Sequence, residues 1–356
     1  MKILSINNLY PPHDRGGAEQ VVRRRVQYEL AQGNKPVVVT WGPWHGFGSW
    51  RPVQTLENGI VVYRFWVPQI FSYTNLSQHV FVARLLWHAI DLVNFWSARI
   101  IKKIIQKEKP DTVESHNLMG MGYCIPRMIQ RLKISHTQVL HDVQLVEPSG
   151  ILLWNHSKDS FGQKLYSAII KYCMGNPDHV VVFSKFLQDF YVSRDFFPDA
   201  VWQVAEYEQI RTEIVKDARK HFLFVGSLEV HKGLAVLMAA WDLLPKESNK
   251  TLDIVGSGTL LESIKRWATD KPSVTVHGRL SQESLALMYK KNDVLIFSSI
   301  CIENRPTVIV EAIRYGVYIV AANTGGVSEL FTSKQGTLFE PGSVEGLAGR
   351  IVTSTI

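Results

Sequence analysis

A chain of 356 residues, 46% hydrophobic and 20% charged, is long enough for two domains that each bury a core and too apolar to stay disordered. Its formal net charge of +7 favours an acidic partner; with no helix-turn-helix, zinc-finger or RNA-binding aromatic signature beside the charge, anionic lipid or a nucleotide diphosphate fits better than nucleic acid. The three cysteines, Cys124, Cys173 and Cys301, are odd in number and far apart, so neither a disulfide framework nor a zinc site is expected, and a reducing cytosol fits.

The first residues, Met-Lys-Ile-Leu-Ser-Ile-Asn, are too short an apolar stretch for a signal peptide and read as a strand over 3–6. A helix over about 18–31 follows, then strands at 37–41 and 61–65. Within that helix Arg23, Arg24 and Arg25 fan out around the axis, which predicts a solvated or membrane-facing surface rather than one pocket. Residues 79–105 are the most membrane-like, yet Arg84, His88, Asp91, Asn94 and Arg99 interrupt them too often for a spanning helix. They read as one long amphipathic helix packed mostly on its own domain. Its Phe81, Leu85, Leu86, Trp87, Phe95 and Trp96, followed by Lys102, Lys103, Lys107 and Lys109, would suit an anionic interface at an exposed tip.

Further along come a strand at 112–113, a helix near 120–131, a strand at 137–140, another helix, a strand at 180–183 and a helix after Ser184. A second series of strands lies at 222–225, 252–255, 274–277, 294–297 and 318–321, each followed by a helix or a glycine turn. Between the two series, residues 197–220 are polar and aperiodic, so the boundary is placed near residue 212, giving domains 1–212 and 213–356. Strands alternating with helices predict the α/β class, with parallel sheets covered on both faces. Two such sheets facing one another would leave a ligand cleft at the carboxyl ends of their strands.

The most informative local feature is the pair Glu303 and Glu311 in the run Glu-Asn-Arg-Pro-Thr-Val-Ile-Val-Glu. Pro306 suits a first helical position, Val308, Ile309, Ala312 and Ile313 form an apolar stripe, and Gly316 can supply a left-handed stop. Glu303 then lies in the loop and Glu311 inside the helix, beside backbone N–H groups that favour an anion. Two solvated glutamates on a surface helix remain the plainer reading of the spacing alone. Lys232, just before Gly233, is a candidate cation for a diphosphate. Gly16 and Gly17, between strand and helix, and Gly256 and Gly258, after the strand at 252–255, permit close backbone approach by a ligand or simply form tight turns. His141 and His116 each follow a strand. No Asp-x-Asp motif occurs, Glu206-x-Glu208 falls in the linker, and metal coordination is not expected.

These blocks stand in a particular order: Pro11-Pro-His-Asp-Arg-Gly-Gly-Ala-Glu19, His141-Asp142, Val225-Gly-Ser-Leu228 with Lys232-Gly233, Val255-Gly-Ser-Gly258, the paired glutamates, and Asn323-Thr-Gly-Gly-Val-Ser-Glu329. In that order and separation they resemble the retaining glycosyltransferases of the GT-B fold, glycosyltransferase family four. The resemblance implies two facing Rossmann-like domains, a UDP- or GDP-sugar donor as cosubstrate, no further cofactor or metal, and a glycan or lipid-linked acceptor. The cysteine usage and the 79–105 segment, taken with it, give the expected location as the cytoplasm, with peripheral contact at the inner face of an anionic membrane as an option. By the same resemblance His141 lies near the donor sugar and β-phosphate, Lys232 grips the diphosphate, and Glu303 holds sugar hydroxyls. Glu311 holds the ribose, the N–H groups of Thr307 and Val308 face the diphosphate, and Gly16 and Gly17 border the cleft. Ser227 stands where the family commonly has an arginine, and Arg279 and Arg305 are the candidate substitutes. Family members usually continue with further C-terminal helices, whereas this chain stops at Ile356. Two alternatives stay open: a catalytically impaired scaffold or binding protein on the same fold, and a nucleotide-sugar epimerase.

Overall fold

In the computed structural model residues 1–13, 17–205, 219–245 and 248–354 are described. They fall into two compact units, one drawn from 1–141, 159–183 and 188–205, the other from 142–158, 184–187 and 206–356. Residue 212, the boundary expected from sequence, lies outside the described residues.

In the first half the elements run β1 (Lys2–Ile6), α1 (Gly17–Ala31), β2 (Lys35–Trp41), β3 (Val53–Glu57), β4 (Ile60–Phe65), α2 (Phe81–Leu92), α3 (Phe95–Glu108) and β5 (Thr112–Ser115). They continue with α4 (Ile125–Arg131), β6 (Ser135–Val139), α5 (Phe161–Met174), β7 (His179–Val182), α6 (Lys185–Val192) and β8 (Val201–Val204). The strands form one sheet in the order β3-β4-β2-β1-β5-β6-β7-β8. All neighbours are parallel except β3 and β4, a hairpin turned by Asn58 and Gly59 at φ 49° and 82°. From β1 the chain first builds outward through β2, then returns to the other side of β1 with β5, so β1 and β5 flank a topological switch point.

Three expectations for this half are corrected. The single long helix is two, broken at Val93 and Asn94, because Asn94 caps α3 by accepting from the Ser97 N–H at 3.2 Å. The helix near 120–131 starts only at Ile125, since Gly120 and Gly122 hold φ of 84° and 109°. Strand β8 sits inside the stretch read as an aperiodic linker.

The second unit contains β9 (His221–Val225), α7 (Leu234–Asp242), β10 (Thr251–Val255), α8 (Leu261–Ala268), β11 (Val274–Gly278), α9 (Gln282–Lys291) and β12 (Val294–Phe297). It ends with α10 (Thr307–Arg314), β13 (Tyr318–Ala322), β14 (Gly336–Phe339) and α11 (Val344–Thr353). The sheet order β11-β10-β9-β12-β13-β14 is that of a doubly wound fold, and all its pairs are parallel. Alternation along each strand supplies two core layers. Phe222, Phe224, Ile254 and Ile296 pack with Leu237, Ile264 and Leu347 of α7, α8 and α11. Their neighbours Leu223, Val225, Leu295 and Phe297 pack with Met288 and Ile309 of α9 and α10. Among the described residues no helix is long and apolar enough to cross a membrane.

Candidate functional site

The order of the second sheet puts its switch point between β9 and β12, so the loops leaving those strands border one crevice. The loop after β9 closes in a short 3-10 turn, Val230–Lys232, ended by Gly233 at φ 69°. The loop after β12 crosses directly beneath it. A Cβ on Gly233 would lie 1.8 Å from the Ser298 carbonyl oxygen, so only glycine fits. The Ile300 N–H donates to the His231 carbonyl at 3.0 Å, and the Ser298 hydroxyl to the Lys232 carbonyl at 3.0 Å.

This bracing aims Lys232 at Glu303. Its Nζ lies 2.6 Å from Glu303 Oε1, which also accepts from the Ser299 hydroxyl at 2.9 Å and the Cys301 thiol at 3.5 Å. Burial works against charge on Lys232, but the Glu303 carboxylate outweighs it and the ammonium is held above its ordinary pKa. Burial, with Glu303 adding to it, pushes the Cys301 thiol up to about 11, which keeps it a protonated donor. Burial and then the Lys232 charge depress His231, leaving it a neutral neighbour.

Behind Glu303 runs the Asn323–Glu329 block that follows β13. Gly326 N–H donates to the Glu303 carbonyl at 2.8 Å and the Thr324 hydroxyl to the Cys301 carbonyl at 2.7 Å. A Cβ on Gly325, at φ 59°, would meet the Glu303 carbonyl at 2.0 Å. The block therefore fixes the backbone on which Glu303 is carried.

The same loop leads into α10. Pro306 is its N-cap, not its first helical residue, because its ψ of 117° is extended. No side chain caps the helix, so the N–H groups of Thr307 and Val308 begin it facing outward along the axis. Gly316, at φ 68°, ends the helix as expected. Glu311 lies one turn in, and its Oε2 accepts from the Tyr289 hydroxyl at 3.2 Å; that hydroxyl is pushed upward by burial and by Glu311. Tyr289 itself stacks on Tyr315 with centroids 5.5 Å apart.

Other expected positions fall differently. Gly256 and Gly258 follow β10, but the space a Cβ would need holds the chain's own carbonyls, Gly226 oxygen at 1.8 Å and Leu228 oxygen at 2.5 Å. The tight turn accounts for both. Ser227 is exposed after β9. Arg279 is exposed after the edge strand β11, and with β10 between, two strand spacings of about 5 Å separate that strand from β9. Arg305, by contrast, belongs to the loop that carries Glu303.

Gly16, Glu206 and Glu208 lie outside the described residues, and Gly17, in the first unit, is the exposed first residue of α1. His116 follows β5 at the β1/β5 switch point and His141 follows β6. Their rings stack at 5.3 Å with His116 Nδ1 3.1 Å from His141 Nε2, and His141 also lies against Phe183. Burial depresses His116 to about 3. Burial, then His116 and Arg25, hold His141 well below its ordinary value. Both imidazoles are thus neutral, one donating its proton to the other's lone pair. Arg25 is not simply solvated, as its place in the arginine run suggested. Its Nε donates to Glu114 Oε2 at 2.7 Å, and Glu114 in turn lies 3.8 Å from His116 Nε2.

Tyr289, Ser299, Cys301 and His231 were not foreseen as site residues. Ser299 and Cys301 carry a weak signal in their spacing before Glu303, whereas Tyr289 lies on another helix and carries none. Among the described residues no group of three or more His, Cys, Asp or Glu is placed to hold a metal ion.

Comparison with known proteins adds to this geometry. The model of glycosyl transferases group 1 matches residues 206–353, and that of Glycosyltransferase Family 4 matches residues 15–204. An uncharacterized 42.6 kDa protein in the cps region of Klebsiella pneumoniae is 26% identical over 340 residues, 93% of this chain and 87% of its own. HepE of Anabaena, solved in complex with UDP, is similar in structure with a TM-score of 0.68 at 16% identity, covering 99% of this chain and 89% of that one. The lipopolysaccharide outer core galactosyltransferase WaaB, in its apo form, gives 0.65 at 16% identity, covering 100% and 92%. At such identities the structural likeness shows the fold, two Rossmann-like domains with parallel sheets as in GT-B proteins.

Proposed function

The chain belongs to glycosyltransferase family four, and on that premise we propose that it moves a sugar from a UDP- or GDP-sugar to a glycan or lipid-linked acceptor, with retention at the anomeric carbon and without a metal. The observation that carries this reading is the Lys232–Glu303 pair, 2.6 Å long, at the switch point of the second sheet beside the uncapped start of α10. An ammonium has three N–H donors, so Lys232 can hold Glu303 and still offer charge to a leaving diphosphate. The N–H groups of Thr307 and Val308 add the positive end of a helix. These groups take the charge-neutralising role a metal would otherwise fill. Glu303 is the acceptor for sugar hydroxyls and Glu311, oriented by Tyr289, for the ribose. In the first unit His141, kept neutral, can exchange hydrogen bonds with a donor sugar without adding charge. Retention follows when the acceptor hydroxyl attacks the face the diphosphate leaves, a phosphate oxygen taking its proton. The cytosol, where the three thiols stay reduced, is the compartment this reading assigns. Similarity to a protein of the Klebsiella cps region and to the lipopolysaccharide outer core galactosyltransferase WaaB supports a role in cell-envelope polysaccharide.

Titration calorimetry against a panel of UDP- and GDP-sugars tests the reading, with release of free nucleotide diphosphate as the measure of turnover. Binding of one donor, unchanged by a chelator and weakened at least tenfold by Lys232→Ala, is the expected result. No binding across the panel would overturn it. Ser227 favours one other reading, since a serine cannot replace the family's arginine and one lost charge-assisted contact costs about 2–4 kcal/mol. Donor binding without turnover, unrestored by Ser227→Arg, would identify a binding protein instead of an enzyme.

A further inference from the structure

Helix α2 is amphipathic the wrong way round for a helix with solvent on its outer side. Its Trp87 is fully buried, with the indole N–H on the Phe71 carbonyl at 2.9 Å, and Asp91 is buried on the same side, accepting from Gly120 N–H at 2.8 Å and Gln69 at 3.0 Å. The polar group is inside. Outward, at helical spacing, stand Val82, Leu85 and Leu86, 73%, 61% and 56% exposed, continued by Val93 at the break. Immediately beyond, α3 opens with Phe95 and Trp96, both exposed.

Aromatic rings extend this surface. Trp96 touches Trp50 with centroids 6.1 Å apart, and Trp50 and the 83% exposed Phe47 both pack on Trp44. An exposed patch of this kind on one face marks an interaction site. What it interacts with is decided by charge. Between residues 58 and 107 the single carboxylate is the buried Asp91, set against Arg64, Arg84, Arg99, Lys102, Lys103 and Lys107. Arg99, Lys102 and Lys103 are exposed and lie three or four residues apart after Phe95 and Trp96, on the same face of α3.

We propose that the outer faces of α2 and α3, with the Trp44–Trp50 loop, form a docking surface for an anionic lipid bilayer. Aliphatic side chains enter the acyl boundary, tryptophans sit at headgroup depth, and the cations of α3 meet lipid phosphates. The inference is independent of the donor site, because adsorption to lipid requires no sugar nucleotide.

Cosedimentation of the full chain with vesicles of phosphatidylglycerol and phosphatidylcholine in equal parts, and of phosphatidylcholine alone, tests it. Binding to the mixed vesicles that weakens with added salt is expected. The double variant Leu85→Asp/Leu86→Asp should lose at least tenfold in partition at any salt, and Lys102→Glu/Lys103→Glu should lose the preference for the anionic lipid. Unchanged circular dichroism melts establish that both variants fold, as their exposed positions require. Failure of the wild type to sediment, or full binding by Leu85→Asp/Leu86→Asp, would overturn the proposal. So would a lipid-free dimer in analytical ultracentrifugation that the same variant disperses, since the surface would then serve a second copy of the chain.

Discussion

The two sheets solve one topological problem with opposite electrostatics. In each, a central strand begins the fold, the chain winds outward on one side and returns on the other, and the candidate site residues lie beside the point where the direction reverses. Beside the β1/β5 switch point burial leaves His116 and His141 as a stacked neutral pair, because the neighbouring Glu114 carboxylate is already paired with Arg25. At β9/β12 charge survives burial because Lys232 and Glu303 neutralise one another at 2.6 Å. Topology thus decides where these groups collect, and whether a nearby counter-ion is free to pair with them decides their protonation: Glu114 is already engaged by Arg25, whereas Glu303 is held by Lys232.

The most damaging way to break the comparison is Lys232→Ala, which strips the cation from the second switch point and leaves Glu303 without its counter-ion. Donor affinity by calorimetry should fall by about 1.5–3 kcal/mol, the worth of a hydrogen bond to a charged group, and the melt should drop as well because a largely buried carboxylate is left uncompensated. Next is Gly233→Ala, which puts a Cβ 1.8 Å from the Ser298 carbonyl at φ 69°. A loss of about 1–3 kcal/mol in urea unfolding is expected, with donor binding lost alongside it.

On the neutral side the comparison is sharpened by pH. His116 has its folded pKa lowered to about 3, so between its unfolded value near 6.5 and pH 3 the unfolded chain binds a proton that the folded chain refuses. Its contribution is present above pH 6.5 and is lost on acidification, at up to about 1.4 kcal/mol per pH unit. His116→Gln removes that slope, so the stability gap between wild type and variant, read from urea midpoints at pH 7, 6 and 5, should narrow as pH falls. Asp91 has the opposite sign: burial raises its carboxyl to about 7, so its contribution is present at low pH and fades as pH rises from about 4 to 7. Smallest is Tyr289→Phe, which deletes one hydrogen bond to Glu311 and should cost about 0.5–1.5 kcal/mol in donor affinity by the same calorimetry.

How far sequence reached depended on burial. Strands β9, β10, β12 and β13 were legible because both faces are covered and their apolar runs are continuous. The three strands left unread, β3, β8 and β14, all lie at sheet edges. There side chains such as Gln54 and Thr55 of β3 face solvent and the apolar residues of β8, Val-Trp-Gln-Val, are themselves half exposed, whereas β11, the remaining edge strand, was legible from its Val-Thr-Val alternation. Asn94 was read as an interruption in an apolar tract, when its effect is to cap a new helix. At the site, Lys232 and Glu303 were legible from motif order. Contacts across long sequence separations were not, and Arg25 with Glu114, His116 with His141, and Gly233 against Ser298 all belong to that class. Gly256 shows the converse, since the backbone it accommodates belongs to its own chain.

The absence of side chains at Gly233 and Gly325 has an evolutionary corollary. With carbonyl oxygens seated where each Cβ would stand, the segments bearing the ammonium and the carboxylate are welded into a single piece. Neither can be redesigned alone. Under the proposed function, a lineage switching from one activated sugar to another would have to conserve this piece and diversify the exposed residues around it, among them Ser227.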